Sequence, residues 1–351
     1  MKRIFAIIAS CIALAACERP FDISRQVGES TIWMSFIPSN DYDTTFFILQ
    51  ATTPLLGKTN PVKTTGESVE VKVNGQPLTM EKSDRSVPER HQYYATEHVF
   101  VPGDRVEIAA TVPGTGSADA SCVVPEPFPA YDWSARLVKR SEGGQILYVD
   151  IDYADPGDDA VYYGAVVCQY TEQDSQWMEI DPETGESHWG EISHSSHTGY
   201  LSPCPLSDSE GLSAGSENPV TAMPGYYNTL SPNGSGSRRS VQIWSDASSP
   251  VPADGRRRMT FASYCQEQPA GRREFGRGWS ESRYKYRLVL YRFSESYYNY
   301  LKARYNNNSD EFSSMGLAPA SFIYTNVRGG TGVCGAYTVL SSEWIEIPPA
   351  N

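Results

Sequence analysis

Short apolar runs, and in places an apolar–polar alternation with a period of two, recur along this chain, and the elements they predict are short β-strands. Ile32-Trp33-Met34-Ser35-Phe36-Ile37 and Thr45-Phe46-Phe47-Ile48-Leu49 are runs of aromatic and β-branched residues, side chains that suit a pleated surface. Val69, Val71 and Val73 alternate with Glu70 and Lys72, and Asn74-Gly75 follows, a pair that tolerates the positive φ of a type I′ hairpin turn. Tyr93–Val99 and Val106–Val112 continue the series around the turn Pro102-Gly103-Asp104. Pro125-Glu126-Pro127-Phe128-Pro129 then interrupts regular structure, because its prolines lack amide donors. Short strands at this spacing predict an immunoglobulin-like β-sandwich over residues 30–128.

From residue 129 to 351 the pattern predicts a larger β-rich sandwich domain, so the fold class expected for the whole is mainly all-β. Strands are expected near 131–140, 144–153, 161–170, 239–245, 257–265, 283–292, 321–327 and 336–346. Gln176–Ile180 and Ser187–Ile192 flank Asp181-Pro182-Glu183-Thr184-Gly185-Glu186 as a hairpin. Residues 201–236 are rich in Ser, Pro and Gly without periodicity, and loops that long are usually functional. One helix is expected at about 294–305. Ser294 caps it, Glu295 suits the positive end of its dipole, and Tyr297, Tyr300, Leu301 and Tyr305 share a face. Asn306-Asn307-Asn308 are expected to stop it. No internal repeat is visible.

Residues 1–16 break the alternation. Lys2 and Arg3 precede an apolar run that ends at Leu14-Ala15-Ala16-Cys17, the layout of a secretory leader. The run is shorter than the roughly 20 apolar residues of a bilayer-spanning helix. Small residues followed at once by Cys are what a lipoprotein signal peptidase needs, so Cys17 is the expected lipid attachment site, and the mature chain works outside the cytoplasm. Residues 17–29 read as a polar tether, which reaches about 40 Å when extended. Glu18 is not the Asp that retains lipoproteins in the inner membrane. Outer-membrane delivery, with the protein exposed at the cell surface, is therefore expected.

The formal charge is −13, and the leader removes two basic residues and no acid. So acidic a chain is not expected to bind nucleic acid, where affinity comes from neutralising phosphates. Of seven Cys, Cys11 leaves with the leader and Cys17 carries lipid. Cys122, Cys168, Cys204, Cys265 and Cys334 remain, an odd set without C-x-x-C spacing, which allows at most two disulfides. Apolar neighbours of Cys122, Cys168 and Cys334 suggest packed strand residues.

Candidate chemistry is sparse. Gly330-Thr331-Gly332-Val333-Cys334-Gly335 fits G-x-G-x-x-G, but a dinucleotide site needs the loop to open a helix. The residues that follow, Ala336 to Leu340, read as a strand, so a glycine-rich turn or bulge is expected. His188, His194 and His197 cluster near Glu186 and Glu191 and are weak candidates for holding a transition metal. A solvated hairpin is the alternative, and no metal or other cofactor is expected. Among 22 Tyr, Tyr226 and Tyr227 border the irregular loop, and with Trp189 they are candidate ligand-facing aromatics. Arg238-Arg239, Arg256-Arg257-Arg258 and Arg272-Arg273 make one region locally basic. No G-x-S-x-G elbow or other nucleophile motif occurs, and nothing favours an enzyme.

Several stretches together resemble one family. They are Val101–Val106, Val112-Pro113-Gly114 and Ala118–Pro125 in the first part, then Val149–Tyr163 and Ile243-Trp244-Ser245-Asp246 with Asp254-Gly255. The run from Ser294 to Leu340 completes the set. The order and wording of these motifs are similar to those of the domain of unknown function 4249 family of Bacteroidetes lipoproteins, over about residues 28–347. Residues 173–236 match poorly. The resemblance implies an outer-membrane lipoprotein encoded beside a TonB-dependent, SusC-like receptor, with a part like that of SusD in capturing substrate. It carries no catalytic residues. Three function classes stay open: a transport-associated binding lipoprotein with that receptor as partner, a surface adhesion or structural lipoprotein, and an extracytoplasmic enzyme. The resemblance favours the first.

Overall fold

The computed structural model describes residues 30–41, 44–51, 66–82, 92–139, 144–157, 161–204, 220–222, 241–246, 253–265, 270–309 and 324–348. The chain is built mainly from β-strands in four sheets, with one helix among the described residues. Strands β1 (Ile32–Phe36), β2 (Thr45–Ala51), β3 (Ser68–Val73), β4 (Gln76–Leu78), β5 (Glu81–Lys82), β6 (Gln92–Thr96), β7 (Arg105–Val112) and β8 (Gly116–Val123) come first. Then follow β9 (Tyr131–Lys139), β10 (Gln145–Ala154), β11 (Tyr162–Ile180), β12 (Ser187–Trp189), β13 (Ser193–Tyr200), β14 (Pro203–Cys204) and β15 (Val220–Ala222). The chain ends with β16 (Val241–Ser245), β17 (Arg256–Cys265), β18 (Gly271–Phe275), β19 (Gly278–Phe293), helix α1 (Glu295–Ser309), β20 (Gly330–Cys334) and β21 (Tyr337–Ser341).

Two of the sheets make the first sandwich. The orders β1-β2-β6-β5 and β4-β3-β7-β8 are those of the immunoglobulin type. Alternation explains the packing: Val106, Ile108, Ala110 and Val112 point inward while their neighbours face out. The Asn74-Gly75 turn joins β3 to β4 with φ of 52° and 78°. Val124 is buried in this core and Phe128 in the next, so the proline-rich stretch carries the chain from one core to the other.

The second part has three layers. A four-stranded sheet, β14-β17-β10-β9, packs on a larger one built around β16-β11-β19. Tyr163, Ala165 and Val167 of β11 enter the core between these sheets. Val166 and Cys168 point the other way, into a layer formed with Tyr297, Tyr300 and Leu301 of α1. The near-continuous burial of β11 from Tyr163 to Gln169 follows from having both faces covered. Ser294 caps α1: the Tyr297 amide lies 3.4 Å from its Oγ, and Oγ also accepts from the Ala336 amide at 2.9 Å. The helix runs on to Ser309 through the three asparagines expected to stop it. Asn disfavours an α-helix by only a fraction of a kcal/mol, too little to end one alone.

The C-terminal segment departs most from expectation. Gly330–Cys334 is a strand, not a turn, and it joins the first sandwich by pairing parallel to β1. Val327, Cys334 and Ala336 lie in the first core. The stretch expected as a strand at 321–327 forms no strand over Tyr324–Val327, and its residues 321–323 lie outside the described residues. Asn326 donates to the Cys334 carbonyl at 2.8 Å and accepts from the Cys334 amide at 3.0 Å, and Arg328 exchanges two backbone hydrogen bonds with Asp119 of β8. After Gly335 the same chain becomes β21 of the second part. Gly332 explains why a glycine motif forms a strand here. Its φ is +112°, and a Cβ would overlap the carbonyl of Met34.

Candidate functional site

The most exposed functional geometry is a β-ribbon that leaves the core. β11 is 19 residues long and β19 is 16, and they stay paired from Tyr162↔Phe293 to Trp177↔Gly278. The core covers the first half of β11 and the second half of β19. Beyond about Glu172 the ribbon is held by cross-strand pairs rather than by burial. β13 and β12 flank β11 on one side, and β18 flanks β19 on the other. β13, Ser-His-Ser-Ser-His-Thr-Gly-Tyr, shows no apolar alternation, which is why sequence reading missed it as a strand. The fusion of residues 161–170 and 176–180 into one strand was missed for the same reason.

Paired residues of an antiparallel ladder share a face, and successive residues alternate. One face therefore carries Tyr170, Glu172, Asp174, Gln176 and Met178 in sequence. Over it lies a shallow cavity of about 330 Å³ lined by Tyr170, Glu172, Asp174, His194, Ser195, Ser196 and Arg283. His194 Nδ1–H donates to Asp174 Oδ1 at 2.6 Å, and Arg283 Nη2 donates to Asp174 Oδ2 at 2.7 Å. These two contacts hold the Asp174 carboxyl below the usual carboxylate range, His194 contributing most. Trp279 donates to Gln176 Oε1 at 3.1 Å, and the Arg272 guanidinium lies 4.2 Å from the Trp279 ring centre.

At its tip the ribbon exposes apolar side chains on both faces. Trp177 and Phe275 pack together with ring centres 5.4 Å apart on one face. Met178, Ile180 and Trp189 occupy the other, Met178 directly opposite Trp189. Trp177 and Phe275 are each 47% exposed, Trp189 is 54% and Ile180 55%. Ile192, between β12 and β13, is exposed as well. Trp177-Met178 is the sequence signal for this tip: two adjacent large apolar residues occupy both faces of a strand, so one of them must leave any single core. The turn that closes the tip is built by Asp181, whose Oδ1 accepts from the Glu183 and Thr184 amides.

Of the residues singled out in the sequence, Trp189 lies in this apolar tip. Tyr226, Tyr227 and Cys17 lie outside the described residues, as does most of 201–236. The three histidines do not converge. His194 faces the Asp174 side. His188 lies opposite Glu179, with Nε2 3.7 Å from Oε2, on the other face. His197 shares the face of His188 but lies opposite Thr171, about 27 Å along the ribbon at 3.4 Å per residue. Among the described residues no group of three or more His, Cys, Asp and Glu is placed to hold a metal ion. The arginines of β17 are engaged by the chain's own acids: Arg256 by Asp152 and Asp132, Arg257 by Asp155 and Asp246, Arg258 by Asp152 and Asp254.

Two of the motifs that carry the family resemblance meet in the second core. Tyr153 and Tyr163 come from one, Trp244 and Asp246 from the other. Trp244 Nε1 donates to the Tyr153 hydroxyl at 3.1 Å, and that hydroxyl donates to Asp246 Oδ2 at 2.7 Å. Arg257 lies 2.7 Å from Asp155 and 3.4 Å from Asp246. Burial raises the carboxyl of Asp246 above its usual range despite these partners. Buried and closed to solvent, this network pins the two sheets together and presents no reactive group to a ligand.

The family model described as Domain of unknown function (DUF4249) matches residues 19–343. No curated protein matches the chain. Among the described residues no helix is long and apolar enough to cross a membrane.

Proposed function

The chain belongs to the DUF4249 family, and from that premise we propose that it is an outer-membrane lipoprotein, anchored through Cys17 and exposed at the cell surface, that serves a TonB-dependent receptor in nutrient uptake. Its part is accessory or substrate-capturing, and its contribution is binding rather than catalysis. The observation that carries this reading is the ribbon tip. Trp177, Met178, Ile180, Trp189 and Phe275 stand away from both cores, half-exposed and on both faces of a narrow arm. Large aromatic side chains of this kind dominate binding energy at protein interfaces, and isolated exposure of so many together marks an interaction surface. A lipid and a short tether would hold arm and receptor on one surface, which raises their effective concentration without any new contact.

The test is co-purification. Wild-type protein is isolated from detergent-solubilised outer membranes under growth conditions that express both partners, and its N-terminus is read by mass spectrometry. A lipid-modified Cys17 and a recovered TonB-dependent barrel are the expected results. An unmodified N-terminus would remove the anchor. A lipidated protein that never brings a barrel would remove the transport reading and leave a surface adhesion or structural role, which β-sandwich modules on a lipid tether also suit.

A further inference from the structure

Cys122 of β8 and Cys334 of β20 lie 212 positions apart, yet their sulfurs are 3.5 Å from one another, in van der Waals contact inside the first core. β8 and β20 are edge strands of the two facing sheets. Their backbones are drawn together by Asn326, whose Nδ2 donates to the carbonyl of Cys334 and lies 3.3 Å from that of Ser121, and by the Arg328–Asp119 pairing. From this juxtaposition we infer that Cys122 and Cys334 form a disulfide that fastens the C-terminal strand to the first sandwich.

Bond formation requires the sulfurs to close to about 2.05 Å, a movement of roughly 0.7 Å each, within the reach of side-chain rotation. The chemistry is thiol–disulfide exchange with an extracytoplasmic thiol oxidoreductase or another disulfide oxidant. One S–S bond forms in this chain and one breaks in the oxidant. The two protons and two electrons given up by the thiols leave the oxidant as a dithiol. Attack proceeds through the thiolate. The Cys334 thiol, facing Cys122 and wholly buried, is pushed well above its usual range. The bond is therefore made while β20 is being added to β1, before the core closes over it. Of the other three cysteines of the mature chain, Cys168 and Cys204 are buried and Cys265 is half-buried. The bond would also stiffen the junction between the two parts, since Ser296 of α1 donates to the Cys334 carbonyl at 2.9 Å.

The inference rests on the export proposed above, because such bonds persist in oxidising compartments. The full chain is purified natively from membranes in detergent for melting curves, and in a parallel portion free thiols are blocked by N-ethylmaleimide under denaturing conditions at the moment of lysis. Peptide mapping should recover one cross-linked pair containing Cys122 and Cys334, with Cys168, Cys204 and Cys265 alkylated. Reduction should lower the Tm on the order of 5 °C, as expected for a bond closing so long a loop. Cys122→Ala should abolish both signals, and joint replacement of Cys168, Cys204 and Cys265 by Ala should abolish neither. If Cys122→Ala does not accumulate, the covalent peptide from the wild type decides alone. Mass spectrometry of the same sample reports whether the leader was removed. A processed chain with Cys122 and Cys334 both alkylated overturns the disulfide and leaves export standing. An unprocessed chain overturns export, and the disulfide is then decided by refolding the same chain in a glutathione redox buffer, where alkylation of both cysteines overturns it.

Discussion

The Tyr153 hydroxyl donates to Asp246 at 2.7 Å although 93 positions of sequence separate them. Tyr163 lies beside Tyr153, with ring centres 5.3 Å apart, and its hydroxyl is buried without a hydrogen bond among the described residues. The two tyrosines should therefore respond oppositely to the same change. Tyr153→Phe takes one hydrogen bond from the buried Asp246 carboxylate and leaves the Trp244 indole N–H without its acceptor, and should cost about 2 kcal/mol. Tyr163→Phe should be neutral within about 0.5 kcal/mol or slightly stabilising. Denaturant unfolding of both variants measures the contrast, and equal losses would dissolve the network as a source of stability.

Gly332 sets a second contrast. Gly332→Ala puts a Cβ at positive φ against the Met34 carbonyl and should destabilise by roughly 3 kcal/mol, through strain and overpacking together. Gly276→Ala meets nothing within 4 Å and has no positive φ, so its effect should stay within about 0.5 kcal/mol. Thermal melts of the two variants under one buffer condition give the comparison.

Replacing Trp177 and Trp189 together by Ser removes half-exposed rings, so unfolding should shift by about 1 kcal/mol or less. Recovery of the TonB-dependent barrel should nevertheless fall at least tenfold, as loss of two hot-spot aromatics implies. Undiminished recovery with this double variant would move the contact surface off the ribbon tip.

Acid should loosen the Asp174 face of the ribbon. The folded Asp174 carboxyl is held below its ordinary 3.8, first by His194 and then by Arg283. Between its folded and unfolded values the unfolded chain binds more protons. The stabilisation is thus complete above the ordinary value and is lost as pH falls through the depressed one. NMR titration of the carboxyl should give a midpoint below 3.8, and His194→Ala should move it upward.

Much of the fold was legible because alternation is a local signal. The valines of β3, the Asn74-Gly75 turn and the Ser294 cap each act within a few residues, and each appears where the pattern implies. What was hidden depends on partners far away. Nothing local in Gly330–Cys334 announces a strand, because its pairing with Ile32–Phe36 is set by backbone approach that only glycine permits. β13 is polar throughout and becomes a strand by borrowing the ladder of β11. The ribbon tip was half visible: Trp189 stood out as an aromatic near loops, but Trp177, Met178 and Ile180 read as ordinary strand residues, and Phe275 fell outside every expected strand because β18, like β13, lacks apolar alternation.

The return of β20 to β1 has a consequence for how the protein is born. The first sandwich is synthesised first, yet one edge of its sheet stays bare until Gly330–Cys334 arrive. An open edge is a template for pairing with other chains, so the nascent protein is exposed to such pairing until β20 is in place. A chain truncated before Gly330 could not close that edge, however complete its own sandwich sequence. The fold thereby makes synthesis through β20 a condition of a closed first sandwich, and products that stop before it leave the β1 edge uncovered.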